Sequence, residues 1–226
     1  MKLQITMKKY ILGEKIQMTQ YFDSKGIAHA ATLISATPIT VTQVKSVASD
    51  GYDAVQVSSG TRNEKNLSKP VKGHYGDLGN FRYTKEFLVD AADLANYTRG
   101  NTMNVDQFAE GDMIRVSGIS KGKGFQGVVK RHGFHGGRRT HGQKHSEREP
   151  GSIGAGGMQR VMKGMRMAGR MGTDRITVKN LKVLAVDPKT NIIVIKGAVP
   201  GRRGTMLERS CREKRRRFFN RSHQFL

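Results

Sequence analysis

The sequence predicts a mainly β body interrupted by one long, irregular, basic segment. Short runs rich in Ile, Val and Thr recur in residues 1–120 and 173–201, separated by Gly, Pro and Asp turn signals. Between them lie residues 121–172, which we call the arm. The arm holds 14 of the 27 glycines and has no helical or strand periodicity. The closely spaced strands favour an antiparallel barrel or sandwich.

The clearest early strand signals lie between residues 27 and 60. Residues 27–47 are rich in Ile, Val, Thr and Ala, and Pro38 interrupts them, so we expect two strands rather than one. Asp50 and Gly51 mark a turn, after which residues 52–60 predict a third strand.

Three other segments of the first half give weaker signals. Residues 1–25 supply scattered apolar anchors and a turn at 23–26. Residues 60–82 are polar and predict either a basic loop or a short helix that ends near Gly76. Residues 82–90 alternate in the manner of a strand.

Strands also flank the arm on both sides. The strand before it is expected to place four apolar side chains in the core, namely Met113, Ile114, Val116 and Ile119. After the arm, residues 173–201 predict a hairpin with its turn at 187–191. The arm is therefore expected to be a long insertion between two strands of one body.

The positive charge is concentrated in two places. The chain carries 40 Lys and Arg against 18 Asp and Glu, a net charge of +22. The arm holds +10 of this and residues 202–226 hold +7, whereas residues 1–120 hold only +2. Such a balance is typical of proteins that bind nucleic acid or another anionic surface.

We expect the arm to become ordered on nucleic acid. Phosphates neutralise its cations and accept hydrogen bonds from glycine backbone, whereas in water the like charges repel and the glycines lose entropy when fixed. The alternative is a solvated, disordered loop without a specific partner. The predicted RNA-binding residues are Lys121, Lys123, Lys130, Arg131, His132, Arg138, Arg139, His141, Lys144, His145, Arg148, Arg160, Lys163, Arg166, Arg170, Arg215, Arg216 and Arg217.

Two further features leave alternatives open. Five methionines of the arm, at 158, 162, 165, 167 and 171, alternate with cations. They either fill gaps against bases and sugars or form a stripe on the protein's own core. The tail carries a basic run at 214–217 beside two phenylalanines. This combination suits RNA, and the alternative is a frayed, solvated terminus.

Signals of catalysis, cofactors and metals are weak. Gly122, Gly124 and Gly127 spell GxGxxG after a strand, but the following ten residues lack the long helix that a dinucleotide fingerprint needs. The four His of the arm lie among Gly and Arg, which favours RNA contact over metal binding. No Walker A sequence or catalytic triad is recognisable. We expect no enzymatic activity, no cofactor, no metal and no small-molecule substrate.

Cysteine content and hydropathy indicate the compartment. Cys211 is the only cysteine, which excludes an internal disulfide and is compatible with a reducing cytoplasm. No apolar run reaches the roughly 18 to 20 residues that span a bilayer, and the N-terminus lacks the apolar core of a signal peptide. We therefore expect a cytoplasmic protein with no membrane partner.

Several motifs together resemble one family. They run in order along the chain and include PGSIG at 150–154 and VIKGAVPG at 194–201. The specific segments are GDMIRVSGISKGKGFQGVVKRHGF at 111–134 and KGMRMAGRMG at 163–172. This pattern is similar to the bacterial form of large-subunit ribosomal protein three.

The resemblance implies a six-stranded β-barrel of the translation-protein type with a central extension that reaches toward the peptidyl transferase centre. It also implies direct binding to large-subunit (23S-type) rRNA during early assembly, and contacts with neighbouring ribosomal proteins. The expected organisation is barrel body, RNA-binding arm, closing hairpin and basic tail, at residues 1–120, 121–172, 173–201 and 202–226. Many bacterial relatives have a glutamine that can be methylated directly after GSIG, where this chain has Ala155.

Two functions of other classes are alternatives. An RNA-modifying enzyme with a basic channel would need a cofactor pocket or a catalytic group in a folded cleft. A free RNA chaperone or translation factor would share the basic composition but would leave the ribosome during a high-salt wash.

Overall fold

Strands dominate the protein. The computed structural model describes residues 9–211, in which twelve strands occur. In chain order these are β1 (Tyr10–Phe22), β2 (Ala28–Ser35), β3 (Ile39–Lys45), β4 (Ala54–Thr61), β5 (Phe81–Leu88), β6 (Thr102–Met103), β7 (Met113–Ile119), β8 (Phe125–Gln126), β9 (Gly169–Arg170), β10 (Arg175–Asp187), β11 (Ile192–Lys196) and β12 (Met206–Cys211). The predicted mainly β class is confirmed.

Six of these strands close into a barrel in the order β1-β12-β7-β10-β11-β2. β1 pairs antiparallel with β12 through its first residues and with β2 through the remainder. A register shift between Lys15 and Gln17 places a bulge between these two halves. Closure leaves no free sheet edge, which protects the barrel from pairing with other chains.

A second sheet contains β5, β4, β3 and β6 in that order. Pro38 lies between β2 and β3, so the predicted division of residues 27–47 into two strands is confirmed. Proline has no N–H to donate to a ladder, and the chain changes sheets at this residue. The predicted strands at 52–60 and 82–90 correspond to β4 and β5.

The barrel and the second sheet share one hydrophobic core. Ile11, Ile34, Ile193 and Leu207 of the barrel are fully buried, as are Val41, Val55 and Val57 of the second sheet. Tyr10 connects the two sets of side chains, because its ring stacks on Phe87 with centroids 4.5 Å apart. Its hydroxyl donates to the carbonyl oxygen of Leu88 at 2.8 Å. Burial raises the pKa of Tyr10 to about 12.

β7 alternates between exposed and buried side chains except at Ser117, which is also buried, and this pattern corrects part of the sequence prediction. Ile114 and Val116 are buried as expected, but Met113 and Ile119 are 39% and 44% exposed. Side chains of a strand alternate between its faces, so positions 114, 116 and 118 share the inner face. Gly118 fits there because a Cβ would lie 2.6 Å from Leu207 Cδ2.

The start of the predicted tail belongs to the barrel. The sequence analysis assigned residues 202–226 to a basic tail, but β12 lies between β1 and β7. Leu207 of β12 is fully buried and pairs with Gly118 of β7. The tail assignment is therefore wrong for residues 206–211.

The helices are short. They are α1 (Val47–Asp50), α2 (Lys69–Tyr75), α3 (Ala91–Leu94) and α4 (Val128–His132). α2 ends at Gly76, which confirms the helix alternative for residues 60–82. Gly51 ends α1 with a φ of 82° and forms the predicted turn. Between Lys9 and Cys211, no helix is long and apolar enough to cross a membrane.

The chain folds into two compact units. The first runs to Gly118 and resumes at Thr177, and it contains the barrel and the second sheet. The second unit is Ile119–Ile176 and contains the whole arm.

Candidate nucleic-acid interface

The two ends of the arm are held side by side by backbone hydrogen bonds. The amide of Lys123 donates to the carbonyl of Met171 at 2.9 Å, and the amide of Met171 donates to the carbonyl of Gly124 at 3.0 Å. β8 and β9 continue this antiparallel pairing. Gly172 has a φ of 79°, and a Cβ there would overlap the carbonyl oxygen of Lys121. The arm thus begins with local β pairing, which its composition did not predict.

α4 follows the GxGxxG sequence directly. The helix has five residues and ends at Gly133, which has a φ of 73°. A dinucleotide fingerprint requires a longer helix whose dipole faces the pyrophosphate. The prediction that no such helix follows Gly127 is confirmed.

Two predicted RNA-binding residues contact the same backbone carbonyl inside the second unit. Arg131 Nη1 donates to the carbonyl oxygen of Met167 at 2.8 Å, and His132 Nε2 lies 3.1 Å from the same oxygen. Both side chains are half-buried. They connect α4 to the chain that returns toward β9.

The remaining predicted residues of the arm are exposed. They are Lys121, Lys123, Lys130, Arg138, Arg139, His141, Lys144, His145, Arg148, Arg160, Lys163, Arg166 and Arg170. Within the described arm, one ion pair involves any of these side chains, Arg139 Nε to Glu147 Oε1 at 3.6 Å. Such exposed pairs contribute little, so the positive charge of the arm is available to an anionic partner.

The apolar side chains of the arm are also largely exposed. Met158, Met162 and Met165 are 52%, 55% and 37% exposed, whereas Met167 and Met171 are half-buried. The alternative that the arm's methionines form a stripe on the protein's own core is therefore wrong for Met158, Met162 and Met165. Phe134 lies under Arg166, with the guanidinium carbon 5.1 Å from the ring centroid.

The histidines form no metal cluster. Across residues 9–211, no three His, Cys, Asp or Glu side chains are placed to hold a metal ion. His135, His141 and His145 are exposed. The three residues predicted in the tail, Arg215, Arg216 and Arg217, lie outside the described residues.

Shifted pKa values in the first unit have structural causes. The pKa of Glu86 is lowered mainly by the hydrogen bond from Lys45, with an ion pair of 2.9 Å. The pKa of Glu64 is lowered by Lys72 in the same way. Burial raises the pKa of Tyr83 and Tyr97. Each shift follows from surface ion pairing or from burial in the core.

Comparison with known proteins decides the family. The family model described as Ribosomal protein L3 matches residues 4–191. The chain belongs to the ribosomal protein L3 family.

Bacterial members of the ribosomal protein L3 family match nearly the whole chain. The large ribosomal subunit protein uL3 of Carboxydothermus hydrogenoformans is 47% identical over 203 residues, 89% of this chain and 96% of that protein. The uL3 of Chlorobium limicola is 47% identical over 84% of this chain and 92% of its own length. That of Syntrophomonas wolfei is 46% identical over 92% and 99%. The resemblance inferred from the sequence motifs is confirmed.

Sequence reasoning missed which arm residues converge in this member of the ribosomal protein L3 family. Charge alone identified the cations, but it gave Phe134 and Glu149 no role. Phe134 meets Arg166 across 32 positions of the chain, and no short-range pattern predicts such a contact. The one usable signal was that aromatic and acidic residues are rare in the arm.

Proposed function

We propose that this chain is a structural, non-catalytic protein of the large ribosomal subunit that binds large-subunit (23S-type) rRNA directly through its arm. The barrel, of the translation-protein type, docks as a rigid body in the cytoplasmic ribosome and contacts neighbouring ribosomal proteins. The arm supports early subunit assembly and extends toward the peptidyl transferase centre. It influences peptide transfer only indirectly, by positioning nucleotides.

One structural observation, in addition to family membership, supports direct RNA binding by the arm. Thirteen predicted RNA-binding side chains of the arm are exposed, and the described arm offers them only one internal ion pair. Exposed like charges repel one another in water. Phosphates remove that repulsion and release condensed counterions, which favours binding.

Glycine backbone supplies the second half of the mechanism. The arm's glycines include positions with positive φ, such as Gly142 and Gly164, where a Cβ would meet no other atom within 4 Å. Both glycines are exposed and carry no side chain that would keep a partner away from the backbone. Such backbone can approach RNA phosphates closely and donate hydrogen bonds to them.

Deleting residues 138–157 tests the assembly role. The deletion removes four of the exposed Lys and Arg residues and leaves β8, α4 and β9 in place. We expect a β-type circular dichroism spectrum with normal thermal unfolding, but slower large-subunit maturation or lower peptide-transfer activity in cells that carry only this variant. The barrel should fold because its strands lie outside the deletion.

A full-length control separates charge from length. In it, Arg138, Arg139, Lys144 and Arg148 are replaced by Gln, and the arm keeps its length. We expect a partial defect in maturation or peptide transfer from this variant if phosphate contact matters.

A second test sediments the large subunit with the wild-type chain through a sucrose gradient at high salt. We expect the chain to stay with the large subunit. Release from the large subunit, or normal maturation and peptide transfer in the deletion, would contradict the proposed function.

A further inference from the structure

A cleft of about 650 Å³ lies inside the second unit. Its lining combines an aromatic ring, a guanidinium and several hydrogen-bonding groups. The side chains that matter here are Phe134, His135, Gln143, Ser146, Glu149 and Arg166. Ligand sites in proteins commonly have this size and this mixture of apolar and polar lining.

Close backbone packing fixes one wall of the cleft. The amide of Gly137 donates to the carbonyl oxygen of Glu147 at 3.0 Å. A Cβ at Gly136 would overlap that oxygen, and a Cβ at Gly137 would lie 2.8 Å from the carbonyl oxygen of Ser146. Glycine is therefore required at both positions, and the two segments that border the cleft are held together without a ligand.

The apolar part of the cleft suits a planar ring. Phe134 is half-buried, Arg166 lies over its ring, and His132 lies 6.1 Å from it at an angle of 46°. Unstacked RNA bases are commonly received by aromatic rings and by arginine guanidinium planes. A base placed here would add a third planar group to the contact between Phe134 and Arg166.

Glu149 distinguishes this cleft from a general phosphate site. The arm has only two acids, and Glu147 pairs with Arg139. Across the described part of the chain, Glu149 has no ion pair. A carboxylate repels phosphate, so its presence in the cleft favours a ligand that donates hydrogen bonds. Its two oxygens accept from two adjacent donors.

Guanine is the base that meets this requirement. Its Watson–Crick edge presents N1–H and N2–H₂ side by side, whereas adenine and cytosine place an acceptor beside their amino group. Uracil presents one N–H between two acceptors. We infer that the cleft receives an unstacked guanine base of single-stranded RNA, with its ring against Phe134 and Arg166 and its Watson–Crick edge on Glu149. This inference rests on the proposed RNA-binding function.

Fluorescence anisotropy with the full-length protein tests the inference. The probes are three labelled RNA pentamers, all uridine except for a central guanosine, inosine or adenosine. We expect about tenfold tighter binding of the guanosine pentamer than of the adenosine pentamer, as for a bidentate base contact. The inosine pentamer, which lacks the N2 amino group, should lie between them.

Two matched variants separate base recognition from charge. Glu149→Gln and Glu147→Gln each remove one negative charge from the arm. Glu149→Gln should reduce the guanosine preference to about twofold or less, whereas Glu147→Gln should keep it. Salt-dependent binding of all three pentamers with equal affinity would overturn the guanine site and leave the proposed function intact. Absence of any salt-dependent RNA binding would overturn both.

Discussion

Ile114 and Ile119 lie on the same strand, but their exposed fractions are 1% and 44%. They are five positions apart, so the alternation of β7 places them on opposite faces. Hydropathy treats the two side chains as equal, and that is why the sequence predicted both in the core. The register that separates them comes from pairing with β12, where Ile114 is opposite Cys211.

The same substitution at both positions should have different effects. Ile114→Ala should lower the free energy of unfolding by about 2 to 5 kcal/mol, because it leaves a cavity in a packed core. Ile119→Ala should lower it by less than about 1 kcal/mol, as expected for an exposed site. Urea unfolding followed by circular dichroism measures both values. Equal losses would contradict the assigned faces of β7.

Tyr10 should make stability depend on pH in the alkaline range. Its pKa is raised by burial from about 10 in the unfolded chain to about 12, so the folded state favours the neutral phenol. The stability that this group contributes is complete below pH 10 and is lost as the pH rises toward 12. Tyr10→Phe keeps the ring on Phe87 but removes the titrating group and its hydrogen bond to Leu88.

The comparison between wild type and Tyr10→Phe isolates this effect. At pH 8, wild type should be more stable by about 1 kcal/mol because of the hydrogen bond. That advantage should shrink steadily above pH 10. Tyr83 titrates in both proteins, so its contribution cancels in the difference, whereas the charge of Tyr97 adds to the effect of burial on the pKa of Tyr10. Thermal unfolding at several pH values gives the difference. A constant difference from pH 8 to 11.5 would show that Tyr10 is not shielded from solvent.

At the level of elements, β12 shows where local sequence patterns fail. Tyr10 of β1 pairs with Ser210 of β12, nearly the whole described chain away. The strands β2, β3, β10 and β11 were predictable because Pro38 and the turn at 187–191 delimit them locally. β1 was not, because its buried residues cluster in its first four positions instead of alternating.

Two truncations test the place of β12 in the barrel. A chain that ends after Gly204 lacks β12, exposes the edges of β1 and β7, and loses the fully buried Leu207. We expect it to lose cooperative thermal unfolding, since a domain's total stability is only about 5 to 15 kcal/mol. A chain that ends after Cys211 keeps every barrel strand and should melt cooperatively. Equal melting behaviour of the two chains would exclude a structural role for β12.

At the scale of the whole molecule, the charge distribution was readable from sequence and the cleft was not. Net charge is a sum over residue types, so a nearly neutral body and a basic arm follow from counting. The partners of individual cations depend on tertiary contacts. Arg131, for example, binds the carbonyl of Met167, 36 positions away, while Lys130 beside it is exposed. Counting charges cannot separate two such neighbours.

The salt dependence of RNA binding tests where the phosphate contacts lie. Replacing Arg138, Lys144 and Arg160 by Gln should reduce the slope of log affinity against log salt by about two units, at about 0.7 to 0.9 per lost phosphate contact. The matched control replaces three exposed lysines of the first unit, Lys25, Lys189 and Lys196, by Gln. Both variants lose three charges, so a general effect of net charge would change both slopes equally. If the slope falls only in the arm variant, the phosphate contacts lie on the arm. If it falls only in the control, they lie on the first unit.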